Sequence, residues 1–427
     1  MSNVFLMSFE QFISRRISFS DSHNGKMATS VVRIAVGAVT LGVAVMLISL
    51  SVVKGFKQEV YNKIIGVQSH ITIKNRDLNL SFETSPIIYD SALVSQLKTT
   101  DNIRHIQAFA TKPAIVKSDD IIQGIVLKGV DADFDPTFFR DMMKSGKLFN
   151  PKTETLGTDS IVISQKLSNE LKKSSGDTID LYSLSSGTAP QNMLRARRFI
   201  ISGVYQTGLD EADAHLALCK IRHVRKLYDW DTNQISGLEL FVNDFDQLDQ
   251  TTEQIRLQLV STFTKDMSLL LVNSFKDSNP QIVDWLSLSD LNIAIIIGLM
   301  SFVAIFQMIA GMLVIILERT PMIGILKTLG ANNRAVRRIF VYNGSLLLAK
   351  GIAFGNILAY GLLGTQYFTR IMPLNPDVYY TDAVPVLFSW TDFVFVNIGT
   401  FFVSVLSLLL PAIMISGITP AKTIKFE

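Results

Sequence analysis

The string GLDEADAH gathers Asp210, Glu211, Asp213 and His215 into one short stretch, the residue types that could ligate a divalent cation. Their spacing matches no metal motif, and the 5 histidines of the chain form no His-Glu-x-x-His, so a solvated acidic loop is the competing reading. The segment GSLLLAKG, Gly344–Gly351, is the nearest approach to a phosphate-binding loop. It lacks the glycine ahead of Lys350 and the hydroxyl residue after it, so it offers phosphate no cradle. Serine, histidine and aspartate are plentiful, yet no Gly-x-Ser-x-Gly or comparable nucleophile context occurs. The expectation is a chain with no active site, no metal and no cofactor of its own.

The chemistry therefore has to come from the elements themselves. Of 427 residues, 48% are apolar and only 18% charged, with a mean hydropathy of +0.31, which is too apolar for an ordinary soluble protein of this length. A net charge of +3 with no basic, aromatic-interleaved stripe argues against nucleic acid. The single Cys219 excludes an intramolecular disulfide.

Ile34–Val53, Leu291–Leu317 and Phe393–Ala421 contain no ionisable residue. A helix of about 20 residues covers about 30 Å, so each can cross a bilayer. The first run is longer than a signal-peptide core and is followed by VVKGFKQEV with no cleavage pattern, so it reads as a retained span. A fourth candidate, 339–368, is interrupted by Lys350. A central lysine costs about 2.5–3.5 kcal/mol on insertion scales, so Lys350 has to face protein, snorkel or contact a lipid headgroup. Gly344, Gly351, Gly355, Gly361 and Gly364 in the same segment predict close helix packing, and Pro411 predicts a kink in the last span.

Four spans place both termini on one side. The gap between the second and third carries Arg319, Lys327, Arg334, Arg337 and Arg338 against Glu318, whereas Arg370–Asp392 carries Asp377, Asp382 and Asp392. The positive-inside rule makes the first gap cytoplasmic, and Trp285, Trp390, Tyr379 and Tyr380 suit an outer aromatic belt. The expected order is a cytoplasmic amphipathic segment at 1–30, with Phe5, Phe9, Phe12 and Ile13 on one side, and a first span at 31–54. An extracytoplasmic domain follows at 55–290, then spans at 291–317, 339–368 and 393–418, joined by a cytoplasmic loop at 318–338 and an outer loop at 369–392, with a cytoplasmic tail at 419–427. In the domain, SHITIKN, DIIQGIVLKGV, DSIVISQ, DTIDLYSL, RRFIISGVY and SGLELFVN read as strands, and KLSNELKK and DQTTEQIRLQLVSTF as helices. The fold class is thus an integral membrane bundle of four helices with one large inserted α+β domain. Phe56, Val60 and Ile64, and Ile282, Leu286 and Leu288, extend the helical pattern beyond the first two spans as stalk ends.

In the cytoplasmic gap, Thr320 suits a helix cap, Pro321 the first helical position and Gly330 a left-handed stop. Met322, Ile325, Leu326 and Leu329 fall at i, i+3, i+4 and i+7, one apolar face, with Lys327 and Thr328 turned away. So short a helix needs a docking surface, either lipid or protein.

The run ERTPMIGILKTLGANNRAVRRIFVYNGSLL is similar to the signature of FtsX-type permease domains. More narrowly, the chain resembles lipoprotein-releasing ABC transporter permeases of the LolC/LolE type. QFISRRIS and TLGVAVMLISLSVVKGFKQEVYNKIIGVQSHI resemble their first helices, SIVISQKLSNELKKSSGDTIDL and RRFIISGVYQTGLDEAD their periplasmic domain, and PLNPDVYYTDAVPVLFSWTDF and PAIMISGITPAKTIKFE their last loop and tail. Nearly the whole length is covered, in order. The resemblance implies a bacterial inner-membrane subunit whose Thr320–Gly330 helix couples to a separate cytoplasmic ATPase that binds ATP and Mg, beside a second permease subunit. Arg334, Arg337 and Arg338 would contact that ATPase or lipid phosphates. It implies a lipoprotein substrate; by their position at the mouth between the stalks, Val53, Phe56, Val60 and Leu286 are the candidates to hold its acyl chains. The loop from Tyr182 to Phe199, with Pro190, Met193, Leu194 and Arg195, would be either a carrier-binding hook or a plain hairpin. A MacB-type efflux permease and an FtsX-like regulator of a cell-wall hydrolase are the rival readings.

Overall fold

The computed structural model describes residues 26–77, 85–118, 121–151, 159–184, 194–261, 270–375 and 379–417. The expected amphipathic segment around Phe5, Phe9, Phe12 and Ile13 and the closing tail lie outside these residues. The chain divides into two units, one holding residues 1–57, 285–373 and 383–427, the other 58–284 and 374–382.

The first unit is helical. Its elements are α1 (Lys26–Gln68, whose last residues belong to the second unit), α2 (Pro280–Glu318, whose first residues do likewise), α3 (Thr320–Thr328), α4 (Asn333–Thr369), α5 (Trp390–Ser407) and α6 (Leu409–Met414). Among the described residues, four helices are long and apolar enough to cross a membrane. The apolar window of α1 is 44% buried and that of α2 only 17%, so α1 is the inward element and α2 turns most of its surface outward. The core gathers Val39, Val43 and Met46 of α1 with Met312 of α2, Phe340 and Leu348 of α4 and Leu408.

Small residues allow this approach. A Cβ on Gly355 would sit 2.8 Å from the Thr40 carbonyl, one on Gly351 2.9 Å from Val39, and one on Gly344 2.7 Å from Leu408. Gly361 and Gly364 have nothing within 4 Å, so the expected packing role holds for three glycines of the five. The amides of Asn356 and Asn397 exchange hydrogen bonds at 2.8 and 3.2 Å, joining α4 to α5. The last apolar helix breaks at Leu408, just ahead of Pro411, whose missing N–H cannot continue the ladder.

The second unit is α+β, as expected. Its strands are β1 (Ile71–Asn75), β2 (Ile87–Ile88), β3 (Ile103–Ser118), β4 (Ile121–Val130), β5 (Met143–Gly146), β6 (Ser160–Ser164), β7 (Thr178–Leu184), β8 (Leu194–Tyr205), β9 (Leu216–Lys220), β10 (Gln234–Ile235), β11 (Gly237–Val242) and β12 (Leu270–Ser274). Pairing runs β12-β1-β11-β3-β4-β9-β6-β8-β5, and β7 joins β8 to β3. Strands β3, β4, β9, β6, β8 and β7 therefore close a ring. The length of β3 makes this possible: Ile103–Phe109 pair with β11, whereas Ile115–Lys117 pair with β7. Pro113 falls between the two stretches, where a missing N–H costs no ladder bond on that side. Helices Gln165–Leu171 and Leu248–Ser261 match the helical readings, and Ile221–Tyr228 is a further one.

Candidate functional site

The polar gap after α2 folds as expected into a short helix, and its ends show how. Gly330 has φ +94° and the Ala331 amide reaches back to the Leu326 carbonyl at 2.9 Å, a left-handed stop that closes α3. Asn332 then accepts from the Ala335 amide at 2.7 Å and starts α4. Two details of the sequence reading are corrected. Thr320 is not the cap: Arg319 holds that position, and the Thr320 hydroxyl donates backwards to the carbonyls of Ile316 and Leu317, seaming α3 to α2. Lys327 is not turned away: its ammonium donates to the Ile415 carbonyl at 2.7 Å, while Arg337 donates to the Ser416 hydroxyl. Burial, reinforced by Arg337, holds the Lys327 ammonium below the usual lysine range.

The amphipathic face divides. Ile323, which sequence reasoning passed over, is wholly buried in the helical core, and Met322 packs against that core. Ile325 and Leu329 remain 54% and 79% exposed, Leu326 is half-buried, and Arg334 is exposed beyond the turn. The signal for Ile323 was its place between the α2 and α4 ends, which periodicity alone does not carry. Among the described residues, Ile325 of α3, the Leu329 that ends it and Arg334 in the first turn of α4 thus stay uncovered.

The residues expected to meet acyl chains do not form one exposed face. Val60 and Leu286 are fully buried, which corrects their assignment. Val53 and Phe56 are half-buried, and the Phe56 ring meets Trp285 edge-on at 5.6 Å. Helical periodicity placed all four near the ends of α1 and α2, but could not tell which side of each helix the remaining elements cover.

The comparisons bear on what such an arrangement is for. Residues 34–257 match the MacB-like periplasmic core domain family, and residues 294–420 match the FtsX-like permease C-terminal family. The chain belongs to the MacB-like, FtsX-type permeases. Its relatives include the "Lipoprotein-releasing system transmembrane protein LolC" of Xylella fastidiosa, 22% identical over 91% of this chain and 92% of that one. LolC of Neisseria meningitidis is 23% identical over 99% and 100%, and LolE of Haemophilus influenzae 25% over 97% and 98%. Among solved structures, the periplasmic region of MacB from Actinobacillus actinomycetemcomitans is 14% identical with a TM-score of 0.34, over 53% of this chain and 98% of that one.

In this permease the other sequence candidates resolve as follows. On either side of the expected loop β7 and β8 pair antiparallel, with Ser183 opposite Arg195; the loop itself, residues 185–193 with Pro190 and Met193, lies outside the described residues. The Arg195 guanidinium forms a pair with Asp229 and donates to the Lys226 carbonyl at 2.8 Å. The GLDEADAH stretch is not a solvated loop but a short helix, Asp210–His215. Asp213 is buried and accepts from the Thr207 hydroxyl at 2.8 Å and the Gly208 amide at 2.9 Å, so its carboxylate staples a turn. Among the described residues no His, Cys, Asp and Glu cluster fits a metal. Burial pushes the Cys219 thiol up, away from reactive thiolate chemistry. Lys350 is exposed on α4.

Proposed function

We propose that the chain is the transmembrane subunit of an ABC transporter that releases lipoproteins from a bacterial inner membrane for sorting to the outer membrane. The observation that carries this reading is α3, a helix of 9 residues between two span-length helices, where Ile325 and the capping Leu329 stay exposed among the described residues. An exposed apolar pair on a two-turn helix is unstable in water unless a partner closes over it. The proposed partner is a separate cytoplasmic ATPase, with ATP and Mg bound there and Arg334 at the rim of the contact. Both termini and α3 are then cytoplasmic, four helices span the membrane, the α+β domain is periplasmic, and a second permease subunit completes the assembly. The near full-length likeness to proteins named for lipoprotein release supports this cargo. The loop between β7 and β8 is the proposed contact for a periplasmic carrier.

Cells depleted of the protein are expected to retain outer-membrane lipoproteins in the inner membrane, assayed by membrane fractionation. Normal sorting overturns the reading. The match to the MacB-like core domain favours a second one, an efflux permease, which recovery of an adaptor protein in place of a lipoprotein carrier would support.

A further inference from the structure

The last turn of α1 ends on a buried charge. The Lys128 ammonium, on β4, donates to the Val67 carbonyl at 2.9 Å and to the Glu239 carboxylate, on β11, at 2.6 Å. Gln107 of β3, directly opposite Glu239 in register, donates to the other carboxylate oxygen at 2.8 Å and accepts the Asp135 amide at 3.0 Å. Lys128, Glu239 and Gln107 are all buried. A helix leaves its final carbonyls without intrahelical donors, and here one of them is met by a side chain from the sheet. Lys74 also lies in this field, its ammonium 5.5 Å from the centre of the Phe109 ring that Lys128 faces at 5.8 Å. Burial lowers the Lys74 ammonium, Glu239 opposes that shift and Lys128 adds to it. Two ammonium groups thus share one carboxylate, and the negative end of the α1 dipole supplies the balance.

The surrounding contacts fix the same turn. A Cβ on Gly66 would lie 2.2 Å from the Phe138 ring, so helix and ring meet at glycine. Ser69 leaves the helix at φ +79° with its amide on the Ile65 carbonyl at 2.7 Å, and Asn279 donates to the Gln68 side chain at 2.9 Å.

We propose that Lys128 and Glu239 are positioning residues that clamp the last turn of α1 to β3, β4 and β11, so that displacement of this helix is taken up by the sheet rather than by fraying of the helix end. The inference rests on the proposed role in ATP-driven release, where such displacement has to do work. A buried ion pair is a costly way merely to fill space, because apolar replacement of both partners is often neutral or stabilising, whereas removing one strands a buried charge.

The test uses the full chain co-purified with its ATPase and reconstituted in vesicles. Lys128→Met and Glu239→Leu are combined, since the single variants can fail to fold and the double variant keeps apolar volume without charge. Hydrogen exchange across residues 64–70 is expected to speed up about tenfold in the double variant, with β6 and β9 unchanged, because the end of α1 opens locally. ATP hydrolysis continues while lipoprotein released per ATP falls by about tenfold. Unchanged exchange at 64–70, or release equal to the parent protein, overturns the clamp. A parent protein that releases no lipoprotein defeats the functional reading alone, and the exchange measurement still decides the clamp.

Discussion

Lys327 of α3 holds the backbone carbonyl of Ile415, 2.7 Å away, across the two ends of the helical unit that flank α4. Lys327 is therefore occupied within the chain, whereas Arg334 and Arg338 stay exposed. Lys327→Met is expected to lower the stability of the detergent-solubilised chain by about 1–2 kcal/mol, the value of a charged hydrogen bond at a half-exposed site. Arg334→Glu is expected to leave the melting curve in place and to reduce recovery of the ATPase. A reversed pattern, with Lys327 silent in the melt, would remove the latch.

The two sides of α3 separate folding from docking. Ile323→Ala removes a fully buried side chain and is expected to cost about 2–5 kcal/mol in a thermal melt. Leu329→Arg changes a residue that is 79% exposed, so stability should move by no more than about 0.5 kcal/mol while co-purification of the ATPase is lost. Retained ATPase with Leu329→Arg would show that α3 docks elsewhere.

Among the glycines of α4 the structure distinguishes contact from vacancy. Gly355→Ala drives a methyl to 2.8 Å from the Thr40 carbonyl and is expected to destabilise α1 against α4 by about 1–3 kcal/mol. Gly361→Ala meets nothing within 4 Å and should be neutral or slightly stabilising, since alanine is the better helix former. Equal melting temperatures for the two variants would contradict the packing.

Two imidazoles, His70 half-buried and His223 buried, make the α+β domain sensitive to acid. Burial, with Arg104 adding to it, lowers His70 from 6.5 to about 4. Burial likewise lowers His223 to about 4, although Asp159, 3.6 Å away, pulls in the opposite direction. Both are held neutral in the fold while the unfolded chain still binds protons, so their contribution is complete above pH 6.5 and is lost as pH falls towards 4. The loss is on the order of 2–3 kcal/mol for His70. His70→Asn should flatten the dependence of unfolding on pH within that window. An unaltered slope in a pH series of denaturant melts would show that the imidazole is not the cause.

Local patterns carried the parts of the fold that local physics determines. Four apolar helices, the Gly330 stop and the alternating or continuous apolar strands needed only near neighbours in sequence to be read. β3 resisted because Lys112 and Pro113 interrupt it; the structure stacks the Lys112 ammonium on the Tyr228 ring at 3.6 Å and puts the proline where pairing lapses. The partners of Lys327 and Lys128 are distant in sequence and include a backbone carbonyl in each case, which no residue-type pattern announces. Burial of Val60 and Leu286 was likewise not announced by helical spacing.

Strand β1 follows directly on α1, but both of its neighbours, β11 and β12, close the domain at its far end. During synthesis the first membrane segment is finished long before the backbone that will satisfy β1 exists, and such distant pairing makes for slow folding. Chain growth and chain stabilisation thus run in opposite order. Nascent products stopping before Gly237 carry an open strand edge next to a greasy helix, and quality control should meet them there.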